Sequence, residues 1–211
     1  MPYKNLREEE LKNRIGQDYF GEFDSARIIG NIDFCVTLKT EQPAENELFE
    51  TQSLLWAEAK KSTADSFTSL SQLVLTIGKA RTFDKMLPPP FLAAFDAEKI
   101  AFVPYGDVQE IFYQNDFNWN IAPSDYDSKE FRQILDRLKK SATGKSLLFR
   151  FGRDEAELRE FIEMNGDLPD LWDLAHGEWE DCSGPSRFKE EAAQAELARG
   201  IRELTNKPVV G

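Results

Sequence analysis

The chain has 211 residues, with 38 acidic against 26 basic side chains, one histidine and two cysteines. Its 41% hydrophobic and 12% aromatic content can build a sizeable core, which excludes a disordered acidic protein. Cys35 and Cys182 lie far apart without a CxxC or histidine partner, which excludes a disulfide framework and a zinc ribbon and suits a reducing, cytoplasmic setting.

The amino terminus, MPYKNLREEELKNR, is polar, so no signal peptide is expected, and no apolar run approaches the roughly 20 residues of a membrane span. Leu11 and Ile15 repeat at helical spacing and predict a helix over 5–15, with Glu8 on their face. Aromatic and β-branched residues predict strands over 19–23 and 26–38, with a bend at Gly30-Asn31. A polar loop over 40–50 leads into a strand over 53–60. The clearest helix covers 65–81: Phe67, Leu70, Leu73, Val74 and Ile77 form one stripe, and Asp65 stands near the N-cap. Pro88-Pro89-Pro90 reads as a stiff break, 100–105 as a strand, 129–140 as a basic amphipathic helix, 146–151 as a strand, and 155–164 and 187–204 as helices. Such an order specifies an α/β fold, a mixed β-sheet flanked by helices in the sequence α-β-β-β-α-β, with a helical C-terminal extension.

Charge divides the chain unevenly. Residues 151–211 hold 7 basic and 15 acidic side chains, whereas 129–153 hold eight bases against Glu130 and Asp136. The expected organisation is a catalytic-type domain over 1–153 and an acidic helical extension or connector over 154–211. Arg132, Lys139, Lys140 and Lys145, together with Lys61, are candidates for tracking a DNA backbone, the alternative being an ordinary solvated helix face. The net charge of −12 argues against strong DNA capture by this chain alone.

Asp33, in IGNIDFCV, and Glu58 and Lys60, in LLWAEAKK, carry the chemistry. Residues two apart on a strand share a face, so Glu58 and Lys60 stand side by side while Ala59 points away. If the strands pair, Asp33 approaches Glu58 closely enough for the carboxylates to share a hard divalent cation. Lys60 can then stabilise charge on a phosphate or help deprotonate an attacking water. The alternative is a strand-end aspartate and a solvent-facing Glu58–Lys60 pair on an edge strand. His176 has no Ser or Cys partner nearby, and Thr143-Gly144-Lys145-Ser146 lacks the earlier glycine of a phosphate loop and reads as a turn. The aromatics Phe112, Tyr113, Phe117, Trp119 and Tyr126 could stack on bases but read more readily as core.

The acid, spacer and Glu-x-Lys pattern resembles the PD-(D/E)XK nuclease superfamily, with Asp33 as the first acid, Ile32 in place of a frequent proline, and Glu58-Ala59-Lys60 as the second element. In SLSQLVLTIGKA, Gln72 stands where one branch of the family carries glutamine, while Thr76 stands where that branch often has tyrosine. The stretch from LREEELKNRIGQDYF through QLVLTIGKAR is similar to the amino-terminal nuclease region of type IIG restriction-modification polypeptides. The resemblance implies a restriction-endonuclease-like core and a Mg²⁺-dependent DNA endonuclease, with Mn²⁺ as a possible substitute. It further implies Asp33, Glu58 and the Ala59 carbonyl as metal ligands, Lys60 as catalytic, and Gln72 and Glu8 as accessory residues. It also implies methyltransferase and target-recognition domains as partners, on the same or a separate polypeptide. A non-catalytic module of the same fold, docking other domains or a partner protein, is the alternative.

Overall fold

The computed structural model describes residues 3–39, 52–142 and 145–166. Helix α1 (Glu8–Tyr19) opens with three glutamates, which favour the positive end of its dipole, and buries Leu11, Ile15 and Tyr19 along one stripe. Strands β1 (Phe34–Thr37) and β2 (Ser53–Ala59) follow, then helix α2 (Ser66–Ala80) and the single turn α3 (Thr82–Lys85). Strands β3 (Phe91–Phe95) and β4 (Lys99–Pro104) lead through the short helix α4 (Tyr105–Val108) and a 3₁₀ turn to α5 (Lys129–Ala142). Strand β5 (Leu147–Arg150) and helix α6 (Glu155–Gly166) complete the described chain.

The five strands form one mixed sheet in the order β1-β2-β3-β4-β5. Only β2 and β3 run parallel, the other pairs being antiparallel. A parallel pair cannot be closed by a tight turn, so α2 serves as the crossover and is held against the sheet it connects. This is an α/β fold with a mixed sheet flanked by helices, consistent with a restriction-endonuclease-like core.

One row of registered residues runs Cys35, Trp56, Leu92 and Val103 across four strands. It packs under Leu70, Leu73, Val74 and Ile77 of α2, with Phe131, Ile134 and Leu138 of α5 completing the same core. Burying these side chains is the main favourable term, about 1.5–3 kcal/mol for each large aliphatic or aromatic residue. The other face carries Phe91 and Phe102, whose rings lie 5.2 and 4.8 Å from that of Phe161 on α6. Every residue of β2 is buried, as expected of a strand covered on both faces.

Several expectations are corrected. The strand expected over 19–23 is the end of α1 followed by turns, and that over 26–38 shrinks to Phe34–Thr37. Ile29 and Ile32 supply the apolar signal there by plugging a turn into the core: Gly30 has a φ of +56°, and the Ile32 amide donates to the Ile29 carbonyl. The strand at Phe91–Phe95 was not expected, because the prolines drew attention to a break instead of to the strand they precede. The observed order is therefore α-β-β-α-β-β before α5, not α-β-β-β-α-β. The compact unit containing the sheet runs to Gly166. The helix expected over 187–204, His176, Cys182 and the Thr143-Gly144 pair lie outside the described residues. Among the described residues no helix is long and apolar enough to cross a membrane.

Candidate functional site

The two acids meet at the start of β1. Phe34 pairs with Ala57, and Asp33, in the bend just before the strand, hydrogen-bonds the Glu58 side chain. On the neighbouring strand, Glu58 is flanked by Ala94, which in turn pairs with Ala101. Glu58 itself is 2% exposed. β2 lies between β1 and β3, so Glu58 and Lys60 are not a solvent-facing pair on an edge strand.

The Lys60 ammonium donates to Glu58 Oε1 at 2.7 Å, and its side chain is 23% exposed. Backbone geometry fixes this approach, since the Lys60 N–H donates to the Phe95 carbonyl at 2.9 Å and extends the β2–β3 ladder by one bond. Burial pushes the Glu58 carboxyl up to about 7; the Lys60 hydrogen bond opposes this, while the charge of Asp33 and a hydrogen bond with it reinforce it. Burial presses the Lys60 ammonium downwards, but the hydrogen bond and charge of Glu58, with lesser influences of Tyr126 and Asp33, carry it above the ordinary lysine value. The Lys60 ammonium thus offsets only part of the effect of burial and of Asp33 on the Glu58 carboxyl.

Such a donor set fits a divalent cation. A buried carboxyl raised chiefly by loss of water, and further by a neighbouring carboxylate, is one from which a hard cation can displace the proton. Asp33, Glu58 and the Ala59 carbonyl supply oxygen donors only. Among the described residues no group of three or more His, Cys, Asp or Glu side chains is assembled as a metal site. Glu8 is the first residue of α1, and the groups acting on Glu58 are Lys60 and Asp33.

Gln72 is half-buried on α2, and its side-chain oxygen accepts from the Tyr126 hydroxyl at 2.8 Å. Thr76 turns back onto its own helix, its hydroxyl donating to the Gln72 carbonyl at 3.0 Å. Of the aromatics read as core, Phe112 and Phe117 are buried and Trp119 packs against the same cluster, but Tyr113 and Tyr126 are exposed. Tyr126 is the residue that sequence reasoning undervalued; its setting in the polar run Ser124-Asp125-Tyr126-Asp127-Ser128 was the signal against a core position. Asp96 was missed altogether. It is buried and accepts from the amides of Ala64, Glu98 and Lys99 at 3.1, 2.7 and 3.1 Å, fastening the β3–β4 turn and the loop after Lys60 to each other.

The basic candidates lie on the surface. Lys61, Lys139, Lys140 and Lys145 are exposed, as is Arg132, which approaches Asp127 at 3.5 Å, while Lys145 pairs with Asp107 at 2.7 Å.

No family model matches the chain. Nor does any solved structure. A partial similarity exists to dimethylamine dehydrogenase of Hyphomicrobium sp. (strain x), 43% identical over 68 residues, covering 29% of this chain and 9% of that protein. A match spanning so small a share of that protein carries no statement about the reaction in its name.

Proposed function

We propose that this chain is a metal-dependent DNA endonuclease domain that hydrolyses phosphodiester bonds and works as part of a restriction-modification system. The observation that carries the reading is the buried Glu58 beside Asp33, with the Lys60 ammonium 2.7 Å from the Glu58 carboxyl. Asp33, Glu58 and the Ala59 carbonyl would hold Mg²⁺ or Mn²⁺, and the bound cation would polarise the phosphate and make a water molecule more acidic. Lys60, held in its charged form, suits electrostatic stabilisation of a developing phosphorane charge better than proton abstraction. Glu58, protonated near neutrality without a cation, must release that proton to become a ligand.

The exposed bases of α5, with Lys61, would follow the DNA backbone, while acidic partners such as Asp127 and Asp107 keep their pull modest. Sequence recognition and tight capture fall to methyltransferase and target-recognition domains, on the same or a separate polypeptide, in a reducing cytoplasmic setting. The test is conversion of supercoiled plasmid to nicked or linear forms in Mg²⁺ or Mn²⁺ by the wild-type chain and by Asp33→Ala and Lys60→Ala. Loss of cutting in both variants, with their fold intact by circular dichroism, is expected. Full cutting by Lys60→Ala would overturn the assignment, and failure of the wild type to bind either cation would favour the non-catalytic module.

A further inference from the structure

The row that contains Glu58 crosses the sheet: Glu58 pairs with Ala94, Ala94 with Ala101 and Ala101 with Leu148. One alternation further out, on the same face and at the same end, stand Lys60 just past β2, Asp96 just past β3, Lys99 opening β4 and Arg150 closing β5. Backbone bonds hold this outer row, the Lys60 amide donating to the Phe95 carbonyl at 2.9 Å and the Asp96 amide to the Lys99 carbonyl at 3.0 Å. Lys99 and Arg150 are directly paired across β4 and β5. Like charges set opposite each other destabilise a sheet. The protein neutralises this pair incompletely. Asp96 spends its oxygens on the amides of Ala64, Glu98 and Lys99, which leaves the Lys99 ammonium 3.6 Å from Oδ2 with its side chain 20% exposed. Asp154 likewise accepts from the Arg150 amide at 2.8 Å and from the Arg153 side chain at 2.7 Å, and among the described residues the exposed Arg150 guanidinium forms no ion pair. Lys99 also shares a shallow depression with Ala64, Ser66, Ser69 and Asp96, beside the first turn of α2.

We infer that Lys99 and Arg150 form a phosphate-binding pair that holds a nucleic acid backbone beside the Asp33–Glu58–Lys60 cluster, away from the phosphate under attack. An anion seated between them removes the repulsion that the strand pairing imposes, and the guanidinium offers a fork that matches two phosphate oxygens. Neighbouring strands lie about 4.8 Å apart, so Lys99 and Arg150 stand two and three strand spacings from Lys60, roughly 10 and 14 Å. At that separation they serve neighbouring phosphates and not the one that Lys60 serves. Unlike the bases of α5, both are mounted on the sheet that carries Glu58, so strand register sets their place relative to the cluster. The inference rests on the nuclease reading for the place of the cut, but not for the capture of a phosphate backbone.

The test is the fluorescence anisotropy of a labelled DNA duplex with the full chain in Ca²⁺ over a range of salt concentrations. Lys99→Gln/Arg150→Gln should bind about tenfold or more weakly than wild type, with the slope of log affinity against log salt shallower by about two. Lys99→Arg/Arg150→Lys, which keeps both charges, should retain the wild-type slope. In Mn²⁺-supported cleavage the glutamine pair should raise KM with kcat within about twofold, because the lost contacts are made equally in substrate and transition state. Arg150→Gln alone, at an exposed position, covers the case in which replacing Lys99 disturbs the fold, and should lower the slope by about one. An unchanged slope in variants that fold by circular dichroism, or no duplex binding by the wild type at low salt, would overturn the inference. A wild type that binds in this manner without cutting would leave the phosphate pair standing and remove the nuclease reading. Metal-dependent cutting with a salt slope indifferent to both substitutions would do the reverse.

Discussion

Asp33, in the bend before β1, hydrogen-bonds Glu58 of β2, and of these two acids it is Glu58 that lies buried, under a single lysine 2.7 Å away. Burial of Glu58 favours its protonated form, and that preference gives the site a measurable pH response.

Stability without divalent cations should fall as pH rises. Glu58 titrates at about 7 in the folded protein against an ordinary value of 4.5, so the folded state binds the extra proton between those values. The stabilisation is fully present below about pH 4.5 and gone by about pH 7, with a size on the order of 3 kcal/mol. Urea unfolding at pH 5 and pH 8 measures it, and Glu58→Gln should remove this component. A curve for Glu58→Gln as steep as that of wild type would refute the assignment. Mn²⁺ should flatten the wild-type curve by replacing the proton.

Removing Lys60 and removing Asp33 should separate binding from chemistry. In Lys60→Met the two carboxyl groups lose their competing ammonium, so calorimetric Mn²⁺ affinity should hold or tighten while cleavage drops by about 100-fold or more. In Asp33→Ala, affinity itself should fall by about tenfold or more. Equal losses of Mn²⁺ affinity in both would mean that Lys60 supports the fold of the site instead of its reaction.

Gly78→Ala should displace the segment around Trp119. The new methyl would meet the Trp119 ring, and overpacking of this kind costs about 1–3 kcal/mol. A red-shifted tryptophan emission with increased quenching by acrylamide would report the movement of Trp119, and unchanged emission with unchanged stability would show that the segment does not depend on this packing.

Asp96→Ala should destabilise the protein by about 2–4 kcal/mol, because three backbone amides lose a buried carboxylate acceptor at once. Thermal unfolding measures the loss. Asp96→Asn, which keeps an acceptor oxygen, should recover part of it; no recovery at all would point to charge, through the neighbouring Lys99 at 3.6 Å, as the main contribution.

Reversing Arg132 and Lys140 together, as Arg132→Glu/Lys140→Glu, should weaken DNA binding. The logarithmic dependence of affinity on salt should become shallower by about one for every phosphate that the chain no longer neutralises. An unaltered salt slope would identify this face of α5 as plain solvated surface.

The placement of several candidate residues was legible because it follows local rules. Glu58 and Lys60 share a face by strand alternation, and the α2 stripe with its Asp65 cap matches the helix found, where the Asp65 side chain accepts from the Thr68 amide at 3.0 Å. What escaped reading was decided by tertiary packing. The β-branched Ile29 and Ile32 suggest a strand because both must be apolar, yet they are buried by a turn and not by a ladder. The prolines before Phe91 read as a break, although a strand that follows them loses no ladder bond to a missing N–H. Tyr126 reaches Gln72 from 54 residues away, and no window of sequence expresses an interaction of that separation.

The complete burial of β2 also sets a tempo. Its amides should exchange with solvent only when the whole molecule opens, whereas Tyr126, on exposed loop backbone, should exchange through small local openings. Glu58 is thus mounted on the slowest part of the molecule and Tyr126 on one of the quicker ones. Whatever approaches Glu58 would meet a carboxyl whose backbone is among the last to open.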